Sequence, residues 1–166
     1  AYVPSALQML GTARHLTDTA EKWCGKNGVP EADIIGARII DDMLPWCYQV
    51  KSVAEHTQGA IEGVRAGVYS PDLNPPPTTF DALREKLSGA RGAMEALSED
   101  EMEAFMGQPM RFEFKDRRMD FDAEDFLLSF SQPNIYFHCA TAYDILRMKG
   151  VPVGKGDFMG RVRIKT

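Results

Sequence analysis

FLLSFSQPNIYFHCATAYDIL, residues 126–146, decides how the fold is read. Phe126, Leu127, Phe130, Ile135, Phe137, Ala140, Tyr143, Ile145 and Leu146 line a long apolar helix. Asp122 and Asp125 resemble a capping pair ahead of it, and Gly150 followed by Pro152 marks its end. Pro133 lies inside. It brings no N–H and its ring clashes with the carbonyl of Ser129, so a kink is predicted. A kink in a core helix opens room for a polar group or a water.

Working back from this helix, the period changes from helical to alternating. Met110, Phe112 and Phe114 alternate with Arg111, Glu113 and Lys115, and Met119 and Phe121 alternate with Asp120 and Asp122. This predicts a small hairpin turning at Asp116-Arg117. Ser98 and Glu101 form a capping box for a short helix over Glu99–Met106. Thr78 and Asp81 resemble another, opening a helix with Phe80, Leu83, Leu87, Met94 and Leu97 on its stripe. Ser70–Pro77, with four prolines, reads as a stiff connection. Before it, a second long helix carries Leu44 through Val64, with Pro45 in its first turn, and ends near Ala66 and Gly67. Glu31–Arg38 reads as a short helix or turn, and Pro4–Lys26 as the first long helix. The Gly-rich tail, Val151–Thr166, is expected to pack over the end of the assembly. The expectation is an all-α fold in a single domain, 1–166: a four-helix bundle with a small β-hairpin inserted before the last helix. The proline-rich link permits a crossover.

The 166 residues hold 19 Lys plus Arg against 24 Asp plus Glu, a net charge of −5. No basic cluster offers a phosphate-binding face, so no nucleic-acid partner is expected. Neither is a membrane span, since no apolar run approaches the roughly 18 residues required. Ala1–Gly11 lacks the pattern of a secretory signal. Cys24, Cys47 and Cys139 form no C-x-x-C pair and sit in helical apolar patterns, so buried thiols and a cytoplasmic location are expected. No P-loop, G-x-S-x-G or G-x-G-x-x-G occurs.

The chemistry rests on three histidines. His15 shares its helix face with Thr12, Asp18, Thr19 and Lys22 and reads as exposed. His56 shares a stripe with Gln49, Ser52, Gly59 and Gly63, and His138 with Asn134, Thr141 and Ala142. Two small, polar stripes facing each other predict a cavity with convergent polar groups. Histidine suits such a place as acid, base or ligand. The candidate catalytic residues are His56, His138, Asn134 and Tyr143, with Gln49 and Trp46 as candidate substrate contacts. The competing reading makes both histidines core residues satisfied by Asn134, Gln49 or a backbone carbonyl. Asp41 and Asp42 cap the second helix, or one of them pairs with Arg38 or reaches toward the cavity.

Three motifs carry a resemblance. One is Asp41-Asp42-Met43-Leu44-Pro45 with Gln49-Val50. Another runs from His56-Thr57-Gln58-Gly59 to Arg65. The longest begins Gln132-Pro133-Asn134-Ile135-Tyr136-Phe137-His138, continues over Thr141–Arg147, and ends in Gly150-Val151-Pro152-Val153-Gly154-Lys155 and Asp157-Phe158-Met159-Gly160. Together they resemble a domain-of-unknown-function family in the DinB/YfiT-like superfamily. The resemblance implies a four-helix bundle, commonly a homodimer. It also implies a divalent metal such as zinc or nickel, held by one histidine on the second helix and an H-x-x-x-H pair on the last. Relatives of this kind include metal-dependent hydrolases and thiol transferases. Here His56 and His138 match the two helices, but Ala142 stands where the second histidine of the pair belongs. A zinc site needs three or four protein ligands, and Asp42 or Glu55 is a candidate for the third. The expected function is therefore a small-molecule enzyme, of hydrolase, lyase or isomerase type, built on His56 and His138 with or without a metal. The alternative is a non-catalytic dimer that binds a small hydrophobic ligand around core histidines.

Overall fold

In the computed structural model, which describes residues 1–165, the first long helix, α1, spans Tyr2–Asn27. Thr166, at the end of the expected tail, lies outside the described residues. Gly28 ends α1 at φ 63°, a left-handed value open to glycine, with its N–H on the Cys24 carbonyl. The short helix α2 (Ala32–Ile35) follows. Asp41 and Asp42 stand in an exposed turn and cap nothing, because Pro45 occupies the N-cap of α3 (Trp46–Ala54).

The second long helix is not continuous. A π-helical turn, Glu55–Gly59, separates α3 from α4 (Ala60–Ala66). The link beyond it is partly ordered into a strand, β1 (Val68–Tyr69). Lys51 ties down the proline-rich remainder. Its ammonium, only 3% exposed, donates to the carbonyls of Asp72 (3.0 Å) and Asn74 (2.7 Å) and pairs with the Asp72 carboxylate at 2.9 Å. Helix α5 (Phe80–Glu95) is capped by Thr79, whose hydroxyl accepts from the Ala82 N–H, one residue later than Thr78 and Asp81 suggested. Ser98 caps α6 (Glu99–Ala104) as expected.

The hairpin is β2 (Pro109–Phe114) and β3 (Arg117–Asp122), antiparallel, with Met110 and Phe112 of β2 facing the core. Strand β1 pairs in parallel with β2, Tyr69 opposite Phe112. The fold is therefore mostly helical with a three-stranded sheet in the order β1-β2-β3, not all-α with a lone hairpin. Two residues are too few to show a strand period, so β1 is invisible without its partner.

The last long helix begins with α7 (Ala123–Asp125), passes through a second π turn, Phe126–Ser131, and becomes α8 (Gln132–Met148). Asp122 precedes it without a side-chain cap. Pro133 falls in the first turn of α8, directly after the π turn, so the expected kink is a change of helix type. Beyond Gly150 the tail buries Val151 and Val153 and forms α9 (Lys155–Met159) along α1. There Thr12 donates to the Phe158 carbonyl and Gln8 to that of Met159. Gly160, at φ 58°, is required, since a Cβ would stand 2.7 Å from the Thr12 hydroxyl.

Helix α1 packs against α5 and α8, and α3 packs against the same two. Leu10, Leu16, Trp46, Val50, Phe80, Ile135 and Ile145 are fully buried among them. The three cysteines are free and buried, as expected, and burial pushes the Cys139 thiol up to about 12. No helix among the described residues is long and apolar enough to cross a membrane.

Candidate functional site

The two π turns bring His56 and His138 together. In the first, the Ala60 N–H reaches back five residues to the Glu55 carbonyl. In an α-helix it would serve His56. The His56 carbonyl is left open, and two hydroxyls take it: Tyr2 from α1 at 2.7 Å, and Ser131 from the second π turn. These hydroxyls lie 2.8 Å apart. Each π turn thus supplies what the other needs, a free carbonyl in one and a buried hydroxyl in the other.

Above this clasp the imidazoles of His56 and His138 lie nearly parallel, 15° between planes and 5.6 Å between centroids. The His138 Nδ1 is 2.7 Å from the Gln49 Oε1. Gln49 is itself oriented, because its Nε2 donates to the Leu44 carbonyl at 2.9 Å. The oxygen must then face the ring, so His138 carries its proton on Nδ1 and leaves Nε2 bare. The Nδ1 of His56 is buried without a partner. Tyr48 and Phe137 pack edge-on against His138, while Tyr69 and Phe130 pack on His56. Burial lowers both imidazoles from the usual 6.5, His138 to about 4 and His56 to about 3, and the neighbouring ring depresses His56 further. The pair is neutral in the physiological range, as two bases rather than two cations.

Tyr69 takes up the Gly59–Gly63 side of the expected cavity. The stripe Gly59–Gly63 is small because Tyr69 fills it: a Cβ on Gly63 would come within 2.8 Å of the Tyr69 Cβ. Tyr69 belongs to β1, the strand that the sequence does not reveal. Among the described residues, an apolar groove of about 670 Å³ opens between the start of α1 and α6, and neither histidine lines it.

His56, His138 and Gln49 converge. Asn134 lies one turn before His138, but its Nδ2 is bound to the Phe130 carbonyl at 2.7 Å. Tyr143 packs against Phe158 of α9 instead. Trp46 is completely buried on the edge of Phe80. Asp42 remains on the exposed turn, and Glu55 pairs with Lys86 at 2.6 Å. No group of three or more His, Cys, Asp or Glu side chains among the described residues could hold a metal ion. Two imidazoles do not make a zinc or nickel site, so the residues present do not fit the metal that the resemblance implies. The residues that sequence reasoning missed are Tyr2, Ser131 and Tyr69. Pro133 beside Ser131 was the one signal of irregularity there, and it pointed to a kink rather than to a hydroxyl aimed at another helix.

Residues 1–159 match a family model described as a domain of unknown function, DUF1993. The chain belongs to this family. Its fold is similar to the crystal structure of a DinB family member protein from Shewanella denitrificans, with a TM-score of 0.80 over 99% of this chain and 92% of that one. The two are 24% identical, so the likeness is one of fold. No curated protein matches the chain. The DUF1993 domain thus has a fold like that of a DinB family member, and two of the three motifs carry the stacked histidines.

Proposed function

We propose that this protein is a small-molecule enzyme in which His56 and His138 do acid–base chemistry on a bound organic substrate. The observation that carries the reading is the oriented His138 ring. Gln49 holds its Nδ1–H, leaving an unprotonated Nε2 beside a second neutral imidazole. A base held in one tautomer presents its lone pair in one direction, the geometry that general-base catalysis asks for first. The partnerless His56 Nδ1 adds to it, as a buried ring nitrogen that no protein group satisfies. Hydrolysis, elimination and isomerisation are the reaction classes that such a pair serves. The helix ring of α1, α3, α5 and α8 is read as a four-helix bundle, and a homodimer and a cytoplasmic setting belong to the same proposal.

The test is turnover of small neutral aromatic esters, β-substituted ketones and enolisable ketones by wild type and by His138→Gln, which keeps a polar side chain of similar reach. Loss of turnover in a folded variant supports the reading; undiminished turnover refutes it.

A second reading has its own observation. The groove of about 670 Å³, lined by Val3, Leu97, Met102, Phe105 and Leu127, is apolar and distant in lining from the histidines. It fits a non-catalytic protein that holds a hydrophobic ligand there. Native mass spectrometry showing a ligand bound in wild type and lost in Met102→Glu, with the histidine variants unaffected, would favour this reading.

A further inference from the structure

The two rings are not equivalent. The Gln49 amide, pinned by the Leu44 carbonyl, presents oxygen to His138 and so selects the tautomer with hydrogen on Nδ1. His56 meets the opposite condition. Its Nδ1 is buried and faces no acceptor, so a proton there would be a stranded N–H, the costlier kind of orphan. The proton belongs on Nε2, which is not among the buried unpartnered atoms. The surroundings are aromatic, with Tyr48 and Phe137 on one ring and Tyr69 and Phe130 on the other. Among the described residues, no Lys or Arg side chain hydrogen-bonds either imidazole. All three ammonium hydrogens of Lys51 are matched by acceptors on Asp72 and Asn74, and Lys86 is paired with Glu55. A phosphate or carboxylate would find no counter-charge here.

We infer that His138 and His56 hold opposite tautomers, a bare Nε2 on His138 and an Nε2–H on His56, and that this donor–acceptor pair takes a neutral carbonyl compound with an acidic C–H beside the carbonyl. The inference rests on the acid–base reading above and deepens it. The His138 Nε2 removes the proton on the carbon next to the carbonyl. The C–H electron pair becomes the new C=C bond, and the carbonyl π pair moves to the oxygen. The His56 Nε2–H stabilises that oxygen by a hydrogen bond. Return of the proton from His138 to a different carbon of the conjugated enolate completes an isomerisation; where the Nε2 proton is first replaced by one from solvent, its return to the original carbon is an exchange, and water is the only other reactant. Gln49 is a positioning residue in this scheme, since it acts only through His138.

The test uses the full chain, ¹⁵N-labelled at histidine. At neutral pH, the ring spectra should show a pyrrole-type Nδ1 and pyridine-type Nε2 for His138, and the reverse for His56. In D₂O, phenylacetone should take up deuterium next to its carbonyl, while phenylpyruvate, which carries a carboxylate, should exchange far less. His138→Gln should lose the exchange. Gln49→Leu should scramble the His138 tautomer and slow exchange by at least about tenfold, whereas Gln49→Glu, which keeps an acceptor oxygen, should restore the tautomer. The same tautomer in both rings, with exchange still dependent on His138, overturns the inference and leaves the acid–base reading standing. Opposite tautomers with no exchange of any probe overturn the substrate class and the acid–base reading together. Equal exchange of phenylpyruvate and phenylacetone overturns the selection for a neutral substrate.

Discussion

Around His15, on the flank of α1, the ring is half in water and its Nε2 meets the Asp157 carboxylate at 2.6 Å. The same carboxylate accepts the Gly154 N–H at the start of α9, and these two contacts hold it below the usual carboxylate range. Around His56 and His138 there is no carboxylate in contact, the rings are largely buried, and each is pushed toward its neutral form. One side chain therefore serves two ends. At the surface it docks a helix through an exposed contact with a carboxylate. Inside it becomes an oriented neutral base, because desolvation disfavours the charged ring and the surrounding groups are amide, hydroxyl and aromatic. The difference lies in the company that the fold assembles, not in local sequence.

The sharpest way to break this comparison is pH. Both buried imidazoles have folded values below the unfolded 6.5, so the unfolded chain binds more protons between pH 6.5 and about 4. Their contribution is complete above pH 6.5 and is lost as pH falls through that window, on the order of a few kcal/mol for the pair. Tyr48 and Tyr69 pack on the rings and Tyr2 on the His56 carbonyl, and the lowered, exposed carboxylates of Glu101 and Glu124 add to the loss only from around 4.5 downward, which the His138→Gln comparison separates. Urea unfolding at pH 7.0 and 4.5 should show the loss, and His138→Gln should flatten it. A profile unchanged by that substitution would mean that the pair is not held neutral.

Next in size is Gly63→Val. The Tyr69 Cβ lies where the new side chain must go, so β1 must shift off the histidines. A cost of about 1–3 kcal/mol is expected, together with a changed His56 ring signal, while His15 should not respond. Ser131→Ala removes one of the two hydroxyls on the His56 carbonyl. It should cost about 1 kcal/mol, and a double-mutant cycle with Tyr2→Phe should be non-additive, because both serve the same oxygen. The smallest effect belongs to the surface. His15→Ala should cost less than about 1 kcal/mol, since both partners of that pair are substantially exposed. A larger loss there would show that the docking of α9 depends on it.

Much of the frame could be read from residue pattern. Gly28 and Gly67 end their helices with left-handed φ values, Ser98 caps α6, and the alternation of Met110–Phe114 and Met119–Asp122 is the hairpin. The pairing of His56 with His138, and the presence of Gln49 beside them, were also legible as stripes of polar residues on apolar helices. Three things were not. Trp46, Tyr143 and Asn134 share helices with the pair, yet they pack on Phe80, on Phe158 and on their own backbone, because a helical stripe says which residues share a face and not what that face meets. The Gly59–Gly63 stripe looked like a void and is the seat of Tyr69. The two π turns change the register of the helices that carry the site, and no residue type specifies them.

What this sequence determined by itself is local and periodic: helix lengths and ends, the hairpin, the burial of its cysteines, and two histidines on facing helices. These follow from side-chain spacing and from glycine, serine and proline at turns, whose preferences act over a few residues. Only the tertiary structure decided that β1 closes over the site, that Tyr2 and Ser131 clasp the carbonyl the first π turn frees, and that Gln49 dictates which nitrogen of His138 is bare. Each of those depends on groups from separate elements meeting at hydrogen-bond distance, with partners up to 129 residues apart in the chain, and sequence spacing carries no record of such meetings.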